Sequence, residues 1–164
     1  MPGAISHVHG TSQTPLLRET IGACLTRHAA SHGDAAALVS CHQHLRYSYD
    51  DLHREVGRAA RGLLSLGVER GDRVGIWSAN CAEWVVAQYA SAAIGAILVN
   101  VNPAYRLREL EFALSQSGVS VLIMERRFRS TEYIPMLVEL APELSTRRAG
   151  GLTSQRLPAL RHVV

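Results

Sequence analysis

Any chemistry in this chain has to be done without a primary amine side chain. All 17 basic residues are arginine, and there is no lysine among the 164 residues. A Walker-type phosphate loop requires Gly-Lys-Ser/Thr, and Schiff-base catalysis requires a lysine amine. Arginine stays protonated and cannot replace a deprotonatable amine. Other reactive groups are present but poorly arranged. His7 and His9, and His42 and His44, have H-x-H spacing, while His28 and His32 stand four apart. None of these pairs has a carboxylate or cysteine at the spacing of a three- or four-ligand zinc site, so they read as surface histidines. Cys24, Cys41 and Cys81 are odd in number and far apart, with no C-x-x-C, and read as reduced thiols. Cys81 lies near a helix start, where a thiol pKa can fall; a small residue packing a turn is the plainer reading. No G-x-S-x-G elbow occurs. Gly67, Gly71 and Gly75 are four apart without making G-x-G-x-x-G, and suit a helix end and a turn better than a nucleotide loop. Arg126, Arg127 and Arg129, like Arg147 and Arg148, form small basic clusters. They lack the interleaved aromatic platforms of a nucleic-acid surface, so no nucleic-acid partner is expected.

One stretch keeps its interest: NVNPAYRLRELEFAL, residues 100–114. A β-rich run ends in a proline-bearing polar turn, and a helix pattern starts at once. Asn102, Pro103 and Tyr105 therefore fall just past the carboxyl end of a strand, the edge at which open α/β sheets bind ligands. The same turn could equally do no more than feed the helix.

The elements that must position these residues follow from periodicity. Apolar residues Leu17, Ile21, Leu25 and Ala29 recur every four positions and predict a helix over 16–32. A hairpin of two short strands follows. Ser48 and Asp51 form a capping-box pattern for a helix over 50–66, which Gly67 ends. Strands at 73–77, 97–101 and 119–124 then alternate with helices at 82–94 and 107–117, and a last helix covers about 132–140. Asn80 and Glu83 suggest a cap for the helix at 82–94, which is apolar almost all round and should pack against more than a sheet. Strand–helix alternation at this spacing predicts βαβ units: an α/β fold with a partial parallel β-sheet and helices on its faces. Residues 1–14 read as a disordered leader, 15–144 as the folded portion, and 145–164 as a loop and the start of another strand. The first 18 residues contain no acid and one arginine, a faint transit-peptide character, but no apolar h-region. No apolar run is long enough to span a membrane. A cytoplasmic protein is the expectation.

The string from Arg46 to Ile123 resembles the N-terminal part of the adenylate-forming acyl-CoA synthetases, with the medium-chain fatty acyl-CoA synthetases as the nearest group. An aromatic-Ser-Tyr-x-x-Leu motif corresponds to Tyr47–Leu52, a Gly-Ala-x-x-Val-x-x-Asn-Pro motif to Gly95–Pro103, and its continuation to Asn102–Leu110. Single motifs are weak, but their order over 14–144 is specific. The resemblance implies an enzyme that uses ATP and magnesium to turn a fatty acid into an acyl adenylate, then passes the acyl group to coenzyme A. It also implies that the phosphate loop, the acyl and adenine pockets and a catalytic lysine come later than this chain reaches. The combined expectation is an N-terminal fragment that is inactive alone and binds no cofactor itself. It would associate with the missing C-terminal portion or a paralogue; the alternative is a non-catalytic module that binds a partner through an open sheet edge. Arg106 stands where relatives of this kind carry threonine. An arginine cannot accept N–H bonds, so that helix start should be slightly weakened.

Overall fold

Runs of β-branched residues separated by amphipathic stretches build one parallel sheet. The computed structural model describes residues 10, 13, 15–145 and 151–164. The leader reading falls almost wholly outside them, and His7, His9, Arg147 and Arg148 do so entirely. The chain runs α1 (Ile21–His32), β1 (Ala36–Ser40), β2 (Leu45–Ser48), α2 (Tyr49–Ser65), β3 (Arg73–Trp77), α3 (Ala82–Ile94), β4 (Ile97–Val101), α4 (Leu107–Ser117) and β5 (Val119–Met124). It continues with β6 (Arg127–Phe128), β7 (Thr131–Glu132), α5 (Tyr133–Leu140), a 3₁₀ turn over Pro142–Ser145, and β8 (His162–Val163). The main sheet has the order β4-β3-β5-β8, and every pairing in it is parallel. β1 and β2 make the expected antiparallel hairpin, and β6 with β7 a second, tiny one that periodicity does not predict.

Alternate residues of the strands divide between two apolar clusters, as a pleated sheet requires. Val74 and Val121 join Leu25, Leu52, Val56, Leu63 and Ala90 beneath α1, α2 and α3. Trp77, Val101 and Leu122 join Leu110, Tyr133, Leu137, Leu157 and Leu160 beneath α4 and α5. The pairing of β3 with β5 shifts register between Arg73 and Val74, a bulge that brings Val119 onto the same side as Leu122. Gly75 is what lets these rows approach. A Cβ there would lie 3.0 Å from Val119 Cγ1 and 3.1 Å from Leu122 Cδ1.

Local signals explain most element ends. Ser48 Oγ accepts the Asp51 N–H at 3.1 Å and Asp51 Oδ2 accepts the Ser48 N–H at 3.0 Å, a complete capping box for α2. Gly67, Gly95 and Gly118 follow their helices with φ of 75°, 76° and 62°. One expectation is corrected here. α1 begins at Ile21, because Thr20 caps it by accepting the Ala23 N–H, and Leu17 is left exposed. The Arg106 end of α4 is half capped: Glu109 accepts the Arg106 N–H at 2.7 Å, while the guanidinium turns away to donate to Thr131 Oγ1. The apolar girth of α3 has its explanation in contacts with both α1 and α2.

Candidate functional site

Because β3, β4 and β5 run parallel, the loops that leave them meet at one edge. The connection from β3 enters α3 on one face, whereas that from β5 leads to α5 on the other. The direction of connection reverses between these two neighbours, and Glu125 sits at that reversal. Its carboxylate accepts the Ser78 hydroxyl and, at 2.7 Å, the Ala79 N–H, so it ties the loop after β3 to the loop after β5.

The turn after β4 is held from below. Asn102 Oδ1 accepts the Ala104 N–H at 2.9 Å, and the Asn102 carbonyl accepts the Tyr105 N–H at 3.1 Å. The same carbonyl accepts the Trp77 Nε1–H at 3.2 Å, and the Pro103 carbonyl accepts the Tyr133 hydroxyl at 2.6 Å. Trp77 and Tyr133 are both 0 % exposed and stack with centroids 3.6 Å apart and planes 11° from parallel. Burial pushes the Tyr133 phenol up to about 12, and the negative charge of Glu125 adds to the shift. Two buried rings from different elements thus fix the backbone of the turn.

Asn102 and Pro103 line a cleft of about 720 Å³ over the carboxyl ends of β3 and β4, together with Asn80, Trp84, Asn100 and His42. Tyr105 is not part of that lining; it packs against the buried cluster under α4 and α5. Carboxamides, an indole face and a rigid turn can bind and orient a ligand. Among the described lining residues His42 carries the only ionisable side chain.

The start of α3 differs from the sequence reading. The cap position is Cys81, with no side-chain cap bond, so Glu83 is the second helical residue and one position early for a capping box. The acceptor comes from elsewhere. Gln43, in the β1–β2 turn, accepts the Ala82 N–H through Oε1 at 2.7 Å and donates through Nε2 to Glu83 Oε2 at 2.8 Å. That hydrogen bond holds the Glu83 carboxyl below its ordinary range. Ser40 Oγ also donates to Gln43 Oε1. Cys81 is pushed up by burial, the opposite of an activated thiol. The Gly67–Gly71 segment lies at the amino end of β3, away from the clefts. The Gly71 N–H donates to the Gly95 carbonyl. Among the described residues no group of three or more histidine, cysteine, aspartate or glutamate side chains comes together, and no helix is long and apolar enough to cross a membrane.

Gln43, Glu125, Trp77 and Tyr133 carry this geometry, and none stands out in the sequence. The hydrogen bonds by which they join separate elements span 25 to 47 residues, beyond the reach of any local motif.

With this architecture in place, residues 25–161 match the AMP-binding enzyme family. The chain belongs to the AMP-binding enzymes. It is 41% identical over 162 residues to the mitochondrial medium-chain acyl-CoA ligase ACSF2 of Macaca fascicularis, covering 99% of this chain and 26% of the relative. Against the protein of the same name from Danio rerio it is 42% identical over 159 residues, 97% of this chain and 26% of the relative. Among solved structures, the fatty acyl-CoA synthetase of Mycobacterium tuberculosis superposes with a TM-score of 0.74 at 24% identity, over 88% of this chain and 26% of that one. The fold is therefore that of the N-terminal region of these adenylate-forming enzymes, and the chain spans about a quarter of the length of the curated relatives it matches. The expectation of a cytoplasmic protein is overturned, since these relatives are mitochondrial. That expectation rested on reduced cysteines and a missing h-region. Neither feature argues against mitochondria, whose transit segments are poor in acids and rich in arginine and serine rather than continuously apolar.

Proposed function

We propose that this AMP-binding chain is the N-terminal portion of an ATP-dependent fatty acyl-CoA synthetase and is inactive by itself. The full reaction joins a fatty acid to ATP with magnesium, releases pyrophosphate, and transfers the acyl group from the adenylate to the thiol of coenzyme A. One observation carries the reading. Near-complete coverage of this chain by medium-chain acyl-CoA ligases coexists with a residue set that has no lysine to stabilise a developing phosphate charge.

Within that reaction the chain supplies position rather than proton transfer. The Asn102–Tyr105 turn, clamped by Trp77 and Tyr133, forms a rigid wall at the ligand edge of the sheet, and Asn102 and Pro103 present that wall to the cleft. ATP–pyrophosphate exchange with medium-chain fatty acids, measured on the purified chain, is expected to stay at background. Turnover by the chain alone would defeat the proposal. A second reading, an interaction module, is favoured by one feature: β8 ends the described sheet with its outer edge unpaired.

A further inference from the structure

A second hollow lies away from the ligand edge, between α1 and α2. Gly22, Ala23 and Thr26 of α1 face His53, Gly57 and Arg61 of α2 across a groove of about 450 Å³. The α2 residues, at i, i+4 and i+8, share one helix face. Leu25 and Val56, each almost fully buried, give the groove an apolar floor. Ala93, in the last turn of α3, also lines it. Because α3 runs back from the carboxyl ends of the strands, the groove lies toward their amino ends, opposite the cleft over Asn102 and Pro103.

The lining holds two arginines, a histidine and two threonines, and no carboxylate. Thr26 gives its hydroxyl proton to the Gly22 carbonyl at 3.1 Å, so it accepts from His53 Nε2 at 3.3 Å, a bond that bridges the two helices. Thr20 Oγ1 accepts the Ala23 N–H at 3.2 Å and keeps its own proton to donate. Asp51 occupies the Arg54 guanidinium. Arg61 differs, because no carboxylate among the described residues pairs with it. Its guanidinium lies back along its own helix, with Nη1 3.5 Å from where a Cβ of residue 57 would sit. Alanine would just fit at that position, and any larger side chain would displace the guanidinium. A guanidinium fork with no competing acid suits the oxygens of a phosphate. A phosphate also has oxygens enough to take donors from both rims at once. The volume and the apolar floor call for an organic body beside the anion, since the groove falls in the size range of small-molecule sites.

We propose that this groove binds a phosphate monoester. The phosphate takes its donors from Arg61 on α2 and Thr20 on α1, and a compact apolar body covers Leu25 and Val56. The ligand joins two helices and so stabilises that half of the molecule. The proposal stands apart from the ligase-portion reading, because this groove shares no lining residue with the cleft at the ligand edge.

The probe is phenyl phosphate, titrated into the full chain by isothermal calorimetry, with inorganic phosphate and phenol in parallel. Saturable one-to-one binding of phenyl phosphate is expected, with a Kd of about 1 mM or below. Inorganic phosphate should bind at least about threefold more weakly, and phenol more weakly still. Arg61→Gln should weaken phenyl phosphate by at least about tenfold, and Arg61→Lys, which keeps the charge but not the fork, by about threefold. Gly57→Leu should match Arg61→Gln, since it displaces the guanidinium. Arg70→Gln, at an exposed arginine outside the groove, should leave binding unchanged. Circular dichroism of the Arg61 variants should match the unaltered chain, because Arg61 has no ion pair to lose. Absence of phenyl phosphate binding overturns the proposal, and so does binding that Arg61→Gln leaves undiminished. An equal loss in Arg70→Gln overturns the site in favour of diffuse surface charge. Inorganic phosphate binding as tightly as phenyl phosphate overturns the organic body, and phenol doing so overturns the phosphate.

Discussion

The two faces of the sheet are finished to different degrees. Under α4 and α5 the face is closed: Trp77 lies on Tyr133, Leu122 shares a buried cluster with Leu157 and Leu160, and Arg156 of the returning loop pairs with Glu111 of α4 at 2.5 Å. Under α1–α3 the packing is equally tight near β3, but it stops short at β5 and β8. A closed face shows what the chain needs to fold. An open one leaves apolar side chains lining a groove. The predictions below test whether that division is real.

The largest effect should come from the closed face. Trp77→Ala removes a fully buried ring, its stack on Tyr133 and the donor to the Asn102 carbonyl. Loss of about 3 to 5 kcal/mol is expected in urea unfolding, a large part of a typical domain's stability. A loss under about 1 kcal/mol would mean that the clamp under the turn does not bear on folding.

Next is the ionisation of Tyr133. Burial raises its folded pKa to about 12, above the ordinary value of 10. The unfolded chain therefore releases this proton first as pH rises. The stabilisation is fully present below pH 10 and is lost progressively between about pH 10 and pH 12, by roughly 2 to 3 kcal/mol at the top. Thermal melts across that range should show the decline. Tyr133→Phe should flatten it, at a cost of about 1 to 2 kcal/mol at neutral pH for the Pro103 carbonyl left without its donor.

A smaller effect is expected where the hairpin meets α3. Gln43→Ala takes away the acceptor of the Ala82 N–H and the donor to Glu83. A cap of this kind is worth about 1 kcal/mol, measurable as a shift in urea midpoint with unchanged slope. If Asn80→Ala had the larger effect, the local cap read from the sequence would be the operative one.

These sites also show what the sequence could express. Helix and strand positions were legible because Leu52, Val56, Ala60 and Leu63 of α2 are buried with the helix period, and because a short continuous apolar run such as β3 is buried on both faces of the sheet. The place of the Asn102–Tyr105 turn, just past the carboxyl end of β4, was legible too, because it follows from the alternation of strands and helices. The groups that fix the ligand edge were not. Gln43 caps a helix 39 residues away, Glu125 joins a loop 46 residues away, and Tyr133 reaches Pro103 across 30. Such contacts have no period and no local motif. Register chooses them only after the sheet forms. Arg106 marks the same boundary from the other side. Its inability to cap was readable from its chemistry, but its pairing with Thr131 was not. The compartment was not legible for a different reason: mitochondrial transit segments are marked by charge composition, not by a continuous apolar segment.

The smallest effect separates the two faces most cleanly, because its sign differs from all the others. Gly62→Ala should stabilise this chain by about 0.5 to 1 kcal/mol, since alanine restricts the unfolded backbone, favours the helix and meets no neighbour within 4 Å. The same change at Gly75 should destabilise, with Val119 and Leu122 already at the contact limit. One glycine is kept by packing within the chain, and the other has no such reason. If Gly62→Ala proves destabilising in thermal melts of the chain alone, an unseen intrachain contact occupies that space, and the open face is closed after all.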